Sequence, residues 1–261
     1  MAARDWSHLR APEMAGLDPM RSIAVLPVAA VEQHGPHLPL GTDTLIAEGM
    51  LATVRRLCPD DLDLLILPVQ AVGKSNEHLW AAGTLTLEAE TALRAWTEIG
   101  LSVARTGLRK IIVINSHGGN LDLISILSRE LRVRAGMRAV KAQWMSFGVP
   151  EGLYSAREMA FGIHGGDVET SLMLHFRPDL VEMGAAEDFA STAEGALIPP
   201  VGAVSLGWIA ADLNPAGVVG DASAATAAKG QATADHQAAG FLDLARTLAA
   251  LPLEGMPAAG V

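Results

Sequence analysis

Glu32, His34, His37 and Asp43 fall within the twelve residues Glu32-Gln33-His34-Gly35-Pro36-His37-Leu38-Pro39-Leu40-Gly41-Thr42-Asp43, directly after the apolar run Ile23–Val31. Carboxylates offer hard oxygen and imidazoles borderline nitrogen, the donor mixture that holds divalent ions such as zinc, manganese or iron. The prolines and glycines keep this stretch out of regular structure, so its side chains can converge instead of alternating between two faces. Three further places carry the same residue types: Glu77-His78, Ser116-His117-Gly118-Gly119-Asn120, and His164-Gly165-Gly166-Asp167-Val168-Glu169. Glycines beside His117 and His164 let a ligand approach the backbone closely. A ligating histidine must be neutral and a ligating carboxylate ionised, so metal would assemble such a cluster and acid would weaken it.

Structural readings stand beside these. Thr42 or Asp43 suits the cap of a following helix, and Glu169 opens the apolar run Thr170–Leu174, where a helix N-terminus favours a carboxylate without any metal. His117 alone fits a hydrogen-bonded loop residue, and His37 fits a side chain that orients a ligand or bonds a carbonyl. His8, His175 and His236 read as surface or core residues, and Trp80, Trp96 and Trp208 as packing, whereas Trp144 precedes a loop expected over the site. Rival chemistries lack their motifs: there is no Gly-x-Ser-x-Gly elbow, no Walker loop, no histidine beside Cys58, and no dinucleotide spacing in Gly217–Asp221. Metal-assisted hydrolysis remains.

The elements that must position these groups alternate. Residues 23–31, 63–69, 110–115 and 138–143 read as apolar strands, and 43–57, 88–106, 120–134 and 224–249 as helices. This order predicts an α/β fold with parallel strands joined by right-handed crossovers and helices on both faces. Ligands of such folds gather beyond the carboxyl ends of the strands, where Glu32, His34 and His117 would lie. Residues 145–165 read as a long loop over that edge, and 183–223 is the least legible stretch.

Composition narrows the class. The chain has 261 residues, half of them hydrophobic and 18% charged, which predicts one globular domain over 1–261. With 29 acidic against 19 basic residues and a net charge of −10, no basic surface for nucleic acid is expected. The longest uncharged stretch, Gly195–Ala211, is broken by proline and glycine, so no membrane span is expected. The single cysteine, Cys58, allows no intramolecular disulfide, and the first residues lack a signal-peptide pattern, which together predict a cytoplasmic protein.

Taken in order, these motifs resemble the creatininase (creatinine amidohydrolase) family from about residue 20 to 235. The resemblance rests on Glu32–Pro39 with Thr42-Asp43-Thr44, Glu77-His78 with Gly83-Thr84-Leu85-Thr86, Asn115–Asn120, His164 with Glu169-Thr170-Ser171, and Gly217–Asp221. It implies a three-layer α/β/α fold with a mainly parallel central sheet and two divalent metal ions per chain, zinc or manganese, with iron compatible. It further implies cleavage of a C–N bond of a small amide, lactam or formamide by a metal-activated hydroxide, in a homo-oligomer that is often a hexamer. Carried over by residue, Glu32, His34, Asp43, His117 and Glu169 are the implied metal ligands, with Asp43 as the bridge. His164 is the implied catalytic histidine, Glu77 and His78 belong with the catalytic or substrate-holding groups, and Trp144, Gly118 and Gly119 with substrate binding. Two departures separate this chain from creatininase itself: Gly119 stands where a ligating glutamate is expected, and no tryptophan lies near Ala160. The His-Gly-Gly-Asn form is more similar to the deformylase and precursor-peptide-cleaving branches. A lactonase or a peptidase acting at a peptide terminus would use the same ions, and a non-catalytic metal-binding assembly protein is the reading outside enzymology.

Overall fold

The computed structural model describes residues 3–253; residues 1–2 and 254–261, the ends of the expected 1–261 unit, lie outside the described residues. Five parallel strands form the central sheet: β1 (Arg4–Asp5), β2 (Ile23–Val28), β3 (Leu64–Ile66), β4 (Lys110–Asn115) and β5 (Arg138–Gln143), in the order β1-β3-β2-β4-β5. Val25 pairs with Ile66 on one side and Ile112 on the other, which places β2 and β4 at the centre. Ile23 and Val25 face one apolar core while Ala24, Leu26 and Val28 face the other. Burial on both faces is why β2, β3 and β4 read as largely apolar runs, whereas the strand expected to be apolar over 138–143 is the edge strand β5, mostly half-buried and carrying Arg138, Lys141 and Gln143.

The helices are α1 (Ala11–Met14), α2 (Thr42–Leu57), α3 (Ala89–Arg105), α4 (Leu121–Ala135), α5 (Ala156–Phe161), α6 (Asp167–Phe176), α7 (Ala210–Leu213) and α8 (Ala227–Ala250). Met50 and Val54 of α2, Met173 of α6 and Phe241 of α8 cover the Val25 face, and Trp96 of α3 with Leu127 and Leu131 of α4 cover the Leu26 face. The result is the three-layer α/β/α arrangement. α6 and α8 pack so closely that a Cβ at Gly230 would overlap the Ser171 carbonyl, so only glycine admits this contact. At the opposite edge of the sheet from the site, the fully buried Lys110 donates from Nζ to the carbonyls of Met20 (2.6 Å) and Ala249 (2.7 Å), tying β4 to the last turn of α8.

The strand expected over 23–31 ends at Val28, because Ala29 turns its N–H to the Gln70 carbonyl (3.0 Å) and Val31 pairs singly with Leu85. The loop expected over 145–165 contains α5, whose cap Ser155 accepts from the Glu158 N–H at 3.0 Å. The stretch 183–223 holds only short pieces, among them α7 and the antiparallel pair β6 (Asp188–Phe189) and β7 (Gly220–Asp221). No helix among the described residues is long and apolar enough to cross a membrane.

Candidate metal centre

Glu32 and His34 follow β2, His117 follows β4, Asp43 stands in the first turn of α2, and Glu169 in the first turn of α6. His164 precedes α6 and is held by backbone bonds with Val219, the Val219 N–H donating at 2.9 Å. Glu77 and His78 sit on a short turn, Asn76–His78. All of these side chains meet beyond the carboxyl ends of β2 and β4.

Two hydrogen bonds set which histidine nitrogens face the cluster. His117 Nε2–H donates to the Lys74 carbonyl (2.9 Å), so its Nδ1 lone pair looks toward Glu32 Oε1 (3.2 Å) and Asp43 Oδ2 (3.3 Å). His34 Nδ1–H donates to the Glu32 carbonyl (3.1 Å), so its Nε2 looks toward Asp43 Oδ1 (3.6 Å) and Glu169 Oε2 (3.8 Å). A nitrogen lone pair facing carboxylate oxygen is repulsive unless a proton or a metal ion lies between them.

Gln33, which the sequence did not single out, orients the other two rings. Its Oε1 accepts from the Gly35 N–H (3.0 Å), so its amide nitrogen donates to the Gly217 carbonyl (2.8 Å) and to His78 Nδ1 (2.8 Å). That leaves His78 Nε2–H to face Glu32 Oε1 at 3.4 Å. His164 Nε2–H donates to the Gln33 carbonyl (2.8 Å), and its Nδ1 lies 3.6 Å from Glu32 Oε1. The rings of His34, His164 and His78 form a column, with centroids 4.2 and 4.4 Å apart.

Burial disfavours charge on these groups, yet the carboxylates win at His34 and His117, which each face more than one of them, whereas His78 and His164 face Glu32 alone. Burial opposes protonation of His34, but Asp43, Glu169 and Glu32 outweigh it and raise the imidazole to about 9. His117 is likewise pushed well up by Glu32 and Asp43 against its burial. Burial and the neighbouring His34 hold His164 well down, and burial brings His78 to about 4. Burial lifts Glu169 to about 7. Without a bound cation, protons therefore sit between these imidazole nitrogens and the carboxylate oxygens.

The donors fit divalent ions. Both oxygens of Glu32, Nε2 of His34 and Oδ2 of Asp43 are buried and find no hydrogen-bond partner. Stranding a buried carboxylate this way costs several kcal/mol, and a bound cation removes that penalty. Donor atoms of Glu32/His34/His164, of Glu32/Glu77/His117 and of His34/Asp43/Glu169 each lie within 4.8 Å of one another. The mixture of nitrogen and oxygen suits zinc, manganese or iron.

The capping reading of Thr42 and Asp43 is corrected: Gly41 is the N-cap without a side-chain bond, and Thr42 Oγ1 donates to the Pro39 carbonyl (2.7 Å), which leaves Asp43 to the cluster. At Glu169 both readings coexist, since Oε2 accepts from the Gly165 N–H at 2.6 Å while facing His34. His37 bonds the Gly165 carbonyl (3.0 Å) and Thr170 Oγ1 (2.9 Å), a bracing position. Beside His117 and Glu169 opens a cavity of about 340 Å³, walled largely by apolar side chains such as Ile46, Leu121, Met159 and Leu172. Trp144 and Gly118 line it; Gly119 does not, and backs onto Glu77 and the Lys74 carbonyl instead.

The family model described as creatininase, creatinine amidohydrolase, matches residues 7–245. The chain is 33% identical over 219 residues to the mycofactocin precursor peptide peptidase of Mycolicibacterium smegmatis, covering 82% of this chain and 81% of that protein. It is 30% identical over 200 residues to the creatinine amidohydrolase of Pseudomonas putida, covering 70% and 74% respectively. Among solved structures, a mutant creatininase of Zn–Zn type superposes with a TM-score of 0.74 at 24% identity, covering 95% of this chain and 98% of that one. A creatininase described by its manganese superposes with a TM-score of 0.70 at 24% identity, covering 94% and 98%.

Proposed function

The chain belongs to the creatininase family, a family of hydrolases, and from that premise we propose that it is a metal-dependent enzyme cleaving an amide C–N bond near the end of a peptide. The observation that carries the metal dependence is the set of buried, unpartnered donor atoms on Glu32, His34 and Asp43. Glu32, His34, Asp43, His117 and Glu169 would hold two divalent ions, with Asp43 between His34 and His117 and able to serve both. When bound, such ions polarise a carbonyl and acidify water at neutral pH.

The chain's own groups supply the rest. His164, anchored through Nε2–H, keeps Nδ1 open; it takes there the proton that the attacking water gives up and delivers it to the leaving nitrogen as the C–N bond breaks. His78, held by Gln33, turns Nε2 toward Glu32 Oε1 at 3.4 Å without a hydrogen bond to it and so walls that side of the carboxylate. The cavity lined by Trp144 and Gly118 receives an apolar group flanking the scissile bond.

A peptide substrate is favoured over a small cyclic amide by the relatives named as precursor peptide peptidases and by the size and apolar walls of the cavity. The exposed apolar side chains of Leu79, Leu85, Leu197 and Val204 support a homo-oligomer, a hexamer in the form the resemblance implies, and the lone cysteine Cys58 fits a reducing cytoplasm. The test is turnover by metal-loaded protein of a panel of peptides, formamides, lactones and creatinine, followed by mass spectrometry. Peptides are expected to shorten at one end, with loss of activity in a chelator and recovery with zinc or manganese. Faster turnover of creatinine than of any peptide would overturn the substrate, and full activity in metal-stripped protein would overturn the mechanism.

A further inference from the structure

Glu77 stands on a turn fastened from three sides. The Lys74 N–H donates to Asn120 Oδ1 (3.0 Å), the Ser75 N–H donates to Thr86 Oγ1 (2.8 Å), and the Lys74 carbonyl accepts from His117 (2.9 Å). Lys74 turns its amine to the Asn76 side chain, and the Glu77 carboxylate points inward, its Oε1 3.6 Å from His117 Nε2. Gly119 explains how the carboxylate fits. A Cβ there would overlap Glu77 Oε1 and the Lys74 carbonyl and would come within 2.5 Å of His117 Nε2. Gly119 does not adopt a left-handed backbone, so glycine is required here for room and not for conformation. Across the gap lies Glu32, fully buried with both oxygens unpartnered, and donor atoms of Glu32, Glu77 and His117 fall within 4.8 Å of one another. Two carboxylates drawn together in a buried place repel unless a cation joins them.

We propose that Glu77 is a metal ligand that closes the Glu32/His117 half of the centre, using the space that Gly119 leaves open; this rests on the reading that the cluster holds divalent ions. Gly119 and Glu77 then form one unit, in which a side chain at position 119 expels the carboxylate that completes the site.

The test measures metal, not turnover. Wild-type protein, Glu77→Gln and Gly119→Ala are loaded with zinc, dialysed and assayed for ions per chain, and each is titrated with zinc by calorimetry. The wild type is expected to hold two ions. Both variants are expected to keep one and to bind the other at least about tenfold more weakly, since neither touches the His34/Asp43/Glu169 half. Cobalt(II)-loaded Glu77→Gln should also change its visible absorption, because one oxygen ligand is lost. Gly119→Ala reaches the same half without altering Glu77, so a folding failure in one variant leaves the other to decide. Two ions bound by either folded variant, with both affinities within about twofold of wild type, would overturn the proposal. A wild-type chain that binds no zinc would instead overturn the metal reading beneath it.

Discussion

Stripping the metal should make the protein's stability fall as pH rises past neutrality, through His34 together with His117, and the His34 share can be worked out. The His34 imidazole is buried and raised from an ordinary 6.5 to about 9 by Asp43, Glu169 and Glu32 acting against desolvation. Because the folded value lies above the unfolded one, the contribution is complete below about pH 6.5 and is lost as pH rises through 9. At 1.36 kcal/mol per pH unit, the shift is worth about 3 kcal/mol in all, of which about 2 kcal/mol disappears between pH 7 and pH 9. For a chain of this size that loss lowers the melting temperature by about 4–8 °C. With metal bound, His34 must already be neutral, so the loaded protein should show no such fall and the gap between loaded and stripped protein should widen over this window. The assay is scanning calorimetry of chelator-treated and zinc-loaded protein at pH 7, 8 and 9, repeated on His34→Gln. The variant should show a clearly shallower fall, the remainder belonging to His117, which Glu32 and Asp43 raise in the same direction. Equal slopes for stripped wild type and stripped His34→Gln would refute the reasoning.

Other outcomes follow from the same geometry. If the proposed pair of ions is held as described, Asp43→Ala should remove both and all activity, because Asp43 faces His34 and His117 at once; retention of two ions per chain by elemental analysis would contradict the bridging place proposed for it. His164→Gln should keep its metal and lower kcat by about 100- to 10,000-fold with little change in KM, as expected for loss of a proton-transfer group; a metal-depleted variant would mark His164 as a ligand instead. Lys110→Met should destabilise the fold by about 2–4 kcal/mol in denaturant titration without changing metal content, because the Met20 and Ala249 carbonyls lose their buried donor.

The central strands and the long helices were legible because burial on both faces of the sheet produces apolar runs, and helix packing produces the longer period. β1 was not, since two residues carry no period, and α5 was hidden among glycine and proline that suggested only a loop. Glu32, His34 and His117 announced themselves through charged and titratable types at strand ends, where unpartnered burial is costly. Glu169 stayed ambiguous for a physical reason: its carboxylate serves the start of α6 and the cluster simultaneously. Gln33 and Asn120 stood inside motifs that the sequence offered, but with no role of their own. An amide side chain is ordinary in any loop, and its importance here arises only from partners far away in the chain, Gly217 for the one and Lys74 with Ala29 for the other.

The acidic and imidazole groups of the centre are drawn from widely separated parts of the chain, from Glu32 near its start to Glu169 well past its middle. During synthesis the first three donors emerge together, yet the last arrives only after β4, α4 and β5 have been made. A growing chain therefore has no completed claim on the cell's metal until the sheet edge has closed, and a chain broken before α6 never acquires one. Tight retention of the proposed metal would thus mark a finished molecule, and its loss on mild heating should be an early sign that the carboxyl edge of the sheet has opened.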